Sequence, residues 1–266
     1  MCHTNKVYPS DLTNAQWAII KKYDINRHWG PGRPMQLELR AVINAILYVL
    51  RTGCQWRYLP SEYPNYNSGY YHYRKWCRDG TWQRLNTSLL ERVRHKMGRQ
   101  RRPSLAIVDS QSVRTTQVGG EHGFDGAKKV NGRKRHILVD TLGNLLVVLS
   151  HAANIGERAG AKRLLLEAPD WLWTRLEKIL ADEGYAGADF QDWVPQTFDV
   201  ILDIAVRPPD QKGFVPQPIR WVVERTFAWL GRYRRLSKDF EKQTKHSQGM
   251  VYLASADRLL KRLALP

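Results

Sequence analysis

Two short stretches, SLAIVDSQSV at residues 104–113 and EKILADEGYAG at residues 177–187, decide the fold class. Each contains an apolar run that stops at an acidic residue, Asp109 in the first stretch and Asp182 in the second. Short apolar runs bounded by polar or glycine-rich turns are typical of strands buried in a sheet. The pattern therefore predicts two central strands, each with an aspartate where the strand runs out.

The segments around these stretches alternate between strand and helix patterns. The predicted elements are a strand at 104–113, two strands in 133–152 about the turn Asp140 to Asn144, a helix at 157–166, a strand at 177–187 that ends in a glycine-rich loop, a short helix at 188–198, a strand at 199–206 and a closing helix from about 218 to 233. This order is that of a ribonuclease-H-like α/β domain, in which helices cover a mixed five-stranded sheet. We assign residues 101–266 to this domain.

A third acidic residue, Glu224, lies in the closing helix. Val223, Phe227 and Leu230 form the apolar stripe of that helix, and Glu224 is one residue away from the stripe. It can therefore flank the buried face and point into the crevice at the strand ends, where open α/β sheets place their ligands.

Asp109, Asp182 and Glu224 together predict a divalent-metal site. Any one of them alone would be interpreted as a turn residue, a helix cap or a surface ion pair. Carboxylates that converge repel one another, and Mg²⁺ or Mn²⁺ resolves that repulsion because hard cations prefer oxygen ligands. Two such ions support in-line displacement at phosphorus, with Asp109 bridging them and Asp182 and Glu224 each completing one metal site.

Composition indicates the partner. The chain has 266 residues, 42 Lys and Arg against 25 Asp and Glu, a formal charge of +17 and a pI near 10.0. Such a balance favours association with polyanions, first of all nucleic acid, although a basic ribosome-associated protein has the same composition. The three cysteines suggest neither a disulfide framework nor a zinc site, and no apolar run is long enough to span a bilayer. We therefore expect a cytoplasmic, nucleoid-associated protein.

Residues 1–100 are predicted to form a small all-α domain. Asp11 to Tyr23 and Leu37 to Arg51 have apolar residues at helical spacing, and Gly53 supplies a stop. Ser68 can cap a helix that is followed by the turn Asp79-Gly80 and by a last helix to about Lys96. This pair resembles a helix-turn-helix, and its cations are predicted to contact DNA: Arg74, Lys75 and Arg78. The tyrosines and tryptophans between residues 70 and 82 are interpreted as core.

Several sequence blocks closely resemble the bacterial insertion-sequence transposases of the IS-five group. The blocks are AIVDSQSVRTT at 106–116, GAKKVNGRKRHILVDTLG at 126–143, ILADEGYAG at 179–187 and RWVVERTFAWLGRYRRLSKDFE at 220–241. LTNAQWAII at 12–20 and RAVINAILYVLRTGCQWRYLP at 40–60 resemble the N-terminal domain of that group. The resemblance implies that Asp109, Asp182 and Glu224 match the DDE triad. It also implies an enzyme that binds the terminal inverted repeats of its element, cuts DNA with the help of two Mg²⁺ or Mn²⁺ ions, and joins the ends to target DNA.

The helix around Glu224 matches a related signature only in part. Arg220 matches the arginine four residues before the glutamate, where it can contact a scissile phosphate. The signature's tyrosine and lysine positions hold Gln217 and Gly231, with Arg232 adjacent to the latter. The handling of the element's ends by those two side chains is therefore absent or transferred to neighbours.

Further DNA contacts are predicted from clustered cations. They are Lys128, Lys129, Arg133 and Lys134 in the basic segment, Arg114 after the first strand, and Arg225 and Arg232 on the closing helix. His122, His136 and His151 lack metal-ligand spacing and are interpreted as structural or as minor DNA contacts. Trp229 is interpreted as a packed indole, with stacking on a flipped base as the alternative.

Two other classes of protein remain open from the sequence. A tyrosine recombinase would use Tyr233 beside Arg232 and Arg234, and would form a covalent protein–DNA adduct without metal. A helix-turn-helix regulator, such as a transposase relic, would bind terminal repeats without cutting them. Because two element ends must be joined together, a transposase is expected to act as a homodimer or larger assembly on DNA.

Overall fold

The computed structural model describes residues 8–23, 25, 37–205 and 221–265. Its helices in these ranges are α1 (Asn14–Ile20), α2 (Leu39–Thr52), α3 (Tyr66–Arg78), α4 (Thr81–Lys96), α5 (Glu157–Leu166), α6 (Ala188–Gln191), α7 (Trp193–Phe198), α8 (Trp221–Gly231) and α9 (Thr244–Ala264). Its strands there are β1 (Leu105–Arg114), β2 (Gly123–Asp125), β3 (Val130–Asp140), β4 (Leu145–Ala152), β5 (Lys178–Asp182) and β6 (Ile201–Ala205).

The strands of the described residues form one mixed sheet with the order β2-β3-β1-β5-β6, and β4 pairs with the same edge of β3 as β2. β1 runs antiparallel to β3 and parallel to β5, and β6 continues in parallel beside β5. This mixed sheet with flanking helices confirms the predicted ribonuclease-H-like α/β fold. One detail is corrected, since these residues contain six strands rather than five: the three-residue strand β2 falls in a segment interpreted as loop.

Helices cover both faces of the sheet. On one face α5 approaches so closely that a Cβ atom on Gly160 would lie 2.3 Å from Cε1 of His136. On the other face α9 packs against β4, where the Val148 amide donates a hydrogen bond to the Tyr252 hydroxyl at 3.3 Å. Residues of β3 and β4 therefore alternate between a face that contacts α5 and a face that contacts α9.

Helix α9 was not predicted from the sequence, which indicated that the chain closes with the 218–233 helix. Its 21 residues pack against β4 and also against α1, α2, α3 and α4. The Tyr73 hydroxyl of α3 donates a hydrogen bond to the carbonyl of His246 in α9. The N-terminal helices and the sheet therefore share one apolar core. The division of the chain at residue 100 stays a prediction.

Local signals explain where the N-terminal helices begin and end. Thr13 caps α1 in a reciprocal capping box with Gln16, and Gly53 ends α2 with a left-handed φ of 72°. Helix α3 begins earlier than predicted, because Asn65 rather than Ser68 caps it. The predicted aromatic core is confirmed for Tyr73, Trp76 and Trp82, which are buried, but it is wrong for Tyr71, whose side chain is 58% exposed.

Candidate active site

Asp109 and Asp182 occupy matching positions on two adjacent parallel strands. The last paired residues of the β1–β5 ladder are Ile107 and Leu180, and each aspartate lies two residues beyond its strand's member of that pair. Because side chains alternate along a strand, both carboxylates leave the sheet on the same face as Ile107 and Leu180. The point where β1 and β5 part thus brings two acidic side chains together, at the end of β5 and in the middle of β1, which continues beside β3 to Arg114.

The protonation of Asp109 reflects this proximity. Burial raises the pKa of its carboxyl to about 7, against a backbone hydrogen bond from Ser110 that lowers it, and the negative charge of Asp182 raises it further. The Ser110 amide lies 2.6 Å from Oδ1 of Asp109. Asp182 has a local partner too, since its Oδ1 accepts a hydrogen bond from the Gly184 amide at 3.0 Å. Without a cation, one of these two carboxylates resists ionisation.

Glu224 lies on α8, which packs against β1. Its neighbours Val222 and Val223 are buried, whereas Glu224 is exposed, as expected for a residue that flanks the apolar stripe. Within the ranges that the structure describes, no three His, Cys, Asp or Glu side chains are grouped closely enough to hold a metal ion. The structure thus brings Asp109 and Asp182 together but does not add Glu224 to them. Arg220 and Gln217 lie outside the described residues.

The donor set fits a hard divalent cation. Both converging side chains are carboxylates, which are the ligands that Mg²⁺ and Mn²⁺ prefer. A cation between them would also remove the mutual repulsion that raises the pKa of Asp109. The two carboxylates that the fold brings together, Asp109 and Asp182, therefore fit the ion that the sequence predicts.

A second acidic residue beside β1, Glu157, was predicted only as the start of a helix. Its carboxylate accepts a hydrogen bond from the Ser110 hydroxyl at 2.6 Å and lies 3.1 Å from Nε2 of His136. The ammonium groups of Lys134 and Lys128 lie 3.1 and 3.5 Å from Oε1. Burial acts to raise the pKa of Glu157, but the hydrogen bonds from His136 and Ser110 outweigh it and hold that pKa well below its usual range. An ionised Glu157 thus fixes the residue that follows Asp109.

The histidines of this region form a buried pair rather than a metal site. Nδ1 of His136 and Nε2 of His151 lie 2.8 Å apart. Burial lowers the pKa of both rings, that of His151 to about 4. His122 is exposed, and its Nδ1 lies 2.7 Å from the carbonyl oxygen of Gly120. The His136–His151 pair links Glu157 to the interior of the sheet.

Comparison with known proteins agrees with this geometry. Residues 100–256 match the family model of the transposase DDE domain, and residues 12–86 match a domain family, DUF4096, that is assigned to transposases of the IS4/5 family. The chain belongs to the DDE transposase family. A curated relative from Burkholderia cepacia, named insertion element IS402 uncharacterized 16.2 kDa protein, is 38% identical over 100 residues. That alignment covers 36% of this chain and 65% of the relative, so the chain spans less than two thirds of the relative's length.

Not every cation predicted to bind DNA is exposed in this DDE family member. Arg133 is fully buried on β3, where it forms an ion pair with Asp239 at 3.2 Å. Its guanidinium also donates hydrogen bonds to the carbonyls of Glu241 at 2.6 Å and Lys242 at 2.8 Å. The prediction of a phosphate contact for Arg133 is corrected, because its donors already bind the segment before α9.

Lys134 is corrected for the same reason. Its side chain is 5% exposed and its ammonium lies 3.1 Å from Glu157 and 3.5 Å from Asp125. It also donates to the carbonyl of Ile155 at 3.1 Å. Lys134 is therefore a structural cation that neutralises Glu157 and Asp125. Its ammonium group is not available to a phosphate from solvent.

The remaining predicted DNA contacts stay predictions. Those on the described surface are exposed or half-buried: Arg74, Lys75, Arg78, Arg114, Lys128, Lys129, Arg225 and Arg232. Lys128 contacts Glu157 in part, and Arg74 lies over the ring of Tyr70 at 5.5 Å. Their accessibility is compatible with phosphate contacts.

Two aromatic residues named in the sequence analysis have packing roles. Trp229 is half-buried, and the Arg258 guanidinium lies 3.6 Å from its ring centroid, so the packed interpretation fits. The Tyr233 hydroxyl is buried and donates a hydrogen bond to Asp257 at 2.7 Å. Burial and the charge of Asp257 raise the pKa of Tyr233 well above its usual range, which disfavours its use as a nucleophile.

None of the helices that the structure describes is long and apolar enough to cross a membrane.

Proposed function

We propose that this chain is an active DNA transposase that binds the terminal inverted repeats of its insertion sequence, cuts there, and joins the freed ends to target DNA. The observation that carries the proposal is the pairing of Asp109 with Asp182 at matching positions of two parallel strands. A carboxylate whose pKa is raised by burial and further by a second carboxylate is costly for folding, and it is a recognised mark of a functional site.

The catalytic residues of the proposal are Asp109, Asp182 and Glu224. Asp109 and Asp182 would hold a Mg²⁺ or Mn²⁺ ion between them, and Glu224 would complete a second position from α8. Bound ions of this kind stabilise the attacking and leaving oxygens of an in-line displacement at phosphorus. The hydrogen bond that the Ser110 hydroxyl donates to Glu157 keeps β1 rigid at the residue that follows Asp109. Water is the first nucleophile and a freed 3′-hydroxyl the second, so no covalent bond to the protein forms.

DNA is the proposed partner on two grounds. The chain carries a formal charge of +17, and cations on α3, β1 and α8 remain on the described surface. We propose contacts to phosphate by Arg225, Arg232, Arg114 and Lys129, and contacts by α3 through Arg74, Lys75 and Arg78. Joining two element ends requires two active sites, so we propose a homodimer or larger assembly on DNA, acting in the bacterial cytoplasm at the nucleoid.

The test is cleavage of a labelled duplex that carries the terminal repeat of the element, in Mg²⁺, Mn²⁺ or EDTA. The proposal expects cutting in either metal, none in EDTA, and no covalent protein–DNA adduct. Tyr233→Phe should cut as the wild type does, although loss of the hydrogen bond to Asp257 should lower the unfolding free energy by about 1–2 kcal/mol.

Two other outcomes would replace the proposal. Cutting that survives EDTA and forms an adduct that Tyr233→Phe abolishes would indicate a tyrosine recombinase. Binding to the terminal repeat without cutting in any metal would indicate a regulator that recognises the repeat through its N-terminal helices. Both outcomes are read from the same gels, so one preparation of protein decides among the three classes.

A further inference from the structure

A cationic cavity lies between α8, the end of α9 and the turn that joins β3 to β4. Its volume is about 690 Å³. Five of its lining side chains carry the following argument and define what we call the arginine–tryptophan pocket: Trp221, Arg225, Trp229, Arg258 and Arg262. The pocket shares helix α8 with Glu224 but contains none of the acidic residues of the candidate active site.

Stacking fixes the guanidinium groups in the pocket. The Arg225 guanidinium lies 4.3 Å from the ring centroid of Trp221 and 4.5 Å from that of Trp229, which are one turn before and one turn after it on the same helix face. The Arg258 guanidinium lies 3.6 Å from the Trp229 centroid. A stacked guanidinium keeps its N–H edges free for planar, two-pronged contacts with phosphate oxygens. The indoles therefore act as supports for cations rather than as open stacking faces for a base.

The cations of the pocket lack acidic partners. Nη2 of Arg258 and Nη1 of Arg262 both donate to the neutral amide oxygen Oδ1 of Asn144, at 3.3 and 2.8 Å. Nη2 of Arg225 donates to the carbonyl of Leu142 at 3.3 Å. Among the residues that the structure describes, no carboxylate lies within ion-pair distance of these three guanidinium groups.

The two nearest acidic side chains already have partners. Asp140 forms an ion pair with Arg94 at 2.5 Å. Asp257 accepts hydrogen bonds from Lys261 at 2.6 Å and from Tyr233 at 2.7 Å. Burial lowers the pKa of Arg258 to about 9, and the positive charge of Arg262 contributes to that shift. A bound anion would relieve that repulsion without displacing any existing ion pair.

We propose that the arginine–tryptophan pocket binds a phosphate group of the DNA backbone, independently of base sequence. The identity of the ligand as DNA rests on the proposed function. A flipped base is disfavoured as the occupant, because Arg225 and Arg258 already lie over the Trp229 ring. Arg225 follows Glu224 in sequence, so the pocket lies on the same helix as the third proposed catalytic residue.

The test measures the affinity of the full chain for two duplexes of equal length and unrelated sequence, one of them carrying the terminal repeat, over a series of salt concentrations. The variants are Arg258→Gln and the more accessible Arg262→Gln. The matched control is Arg163→Gln, which removes the same charge from an exposed position on α5, on the opposite face of the sheet. Circular dichroism verifies folding, and if Arg258→Gln does not fold, Arg262→Gln decides.

The proposal expects each pocket variant to lose on the order of tenfold in affinity for both duplexes, as loss of a charge-assisted phosphate contact does. The dependence of log affinity on log salt should flatten by about one unit, whereas Arg163→Gln should bind as the wild type does. Unchanged affinity and slope in the folded pocket variants would overturn the proposal. A loss confined to the terminal-repeat duplex would also overturn it, since that would indicate a base contact.

Failure of the pocket and failure of the proposed function are distinguishable. Metal-dependent cutting by wild-type protein, together with wild-type binding by the variants, would reject the pocket alone. Loss of binding in the variants, together with a wild-type protein that never cuts, would leave the pocket as a DNA site and reject the transposase activity.

Discussion

Asp109 and Asp182 each lie two residues beyond Ile107 and Leu180, the last pair that joins β1 to β5. This relationship places two carboxylates side by side at the edge where two buried parallel strands separate. Repulsion between them is built into the topology, because neither side chain can move away without breaking the strand that carries it. A divalent cation is the simplest partner for such a pair.

The pH dependence of stability should show the cost of ionising Asp109, which comes from its burial and, after that, from the charge of Asp182. The pKa of Asp109 is about 7 in the folded protein against 3.8 for a free carboxyl, so the native state holds the proton more tightly. The stability that this provides is full below about pH 4 and is lost as the pH rises through 7. Asp109→Asn does not ionise, so without metal it should exceed the wild type at pH 8 by about 1–3 kcal/mol in urea unfolding.

Mg²⁺ gives the matching control for that prediction. Binding of the ion to native wild-type protein should recover stability at pH 8, whereas Asp109→Asn should respond much less. Equal stability of the two proteins at pH 5 and at pH 8 in the absence of metal would show that Asp109 is not electrostatically strained.

Substitution of Arg133, a buried structural cation, should lower stability far more than substitution of Lys129, an exposed one. Arg133→Gln leaves Asp239 buried without its cation, so the unfolding free energy should fall by about 3–5 kcal/mol. Lys129→Gln alters an exposed side chain, and its stability should stay within about 0.5 kcal/mol of the wild type. Thermal or urea unfolding measures both, and a stable Arg133→Gln protein with weakened DNA binding would restore the original interpretation of Arg133 as a phosphate contact.

Glu157 should act as a positioning residue for Asp109, because it binds the neighbouring Ser110 of β1. Glu157→Gln weakens the hydrogen bonds from Ser110 and His136 and the ion pair with Lys134, which should cost about 1.5–3 kcal/mol of stability. Cleavage should slow while affinity for the duplex stays close to wild type, because Asp109 loses its rigid support. Glu167→Gln, an exposed change at the other end of α5, is the control. Unaltered cleavage in Glu157→Gln would limit its role to folding.

The sequence predicted those parts of the molecule that depend on neighbouring residues. The strand end at Asp182, the helix that starts at Glu157 and the stop at Gly53 all follow from local patterns, whereas β1 continues past Asp109 to Arg114 because it stays paired with β3. The order of these elements was then sufficient for the ribonuclease-H-like fold.

Long-range packing explains what the sequence did not predict. Arg133 belongs to a charge run that is typical of a solvated loop, and only the fold brings it to Asp239, far along the chain. Helix α9 is buried around most of its circumference, with Ser247 and Asp257 among its buried residues, so it has no clear polar face. Glu157 gains its role only when α5 meets β1.

Whether the three carboxylates act as one centre is measured most directly by cleavage of the terminal-repeat duplex with single and double substitutions at Asp109, Asp182 and Glu224. The cleavage rate should fall by on the order of 1,000-fold in each of Asp109→Asn, Asp182→Asn and Glu224→Gln, with duplex binding retained. The double variants should be no slower than the single variants, because the effects of substituting residues that act as a unit do not add. Glu177→Gln, an exposed carboxylate before β5, should cut as the wild type does. Wild-type cleavage by Glu224→Gln, or losses that multiply in the double variants, would contradict a shared metal centre built from these three residues.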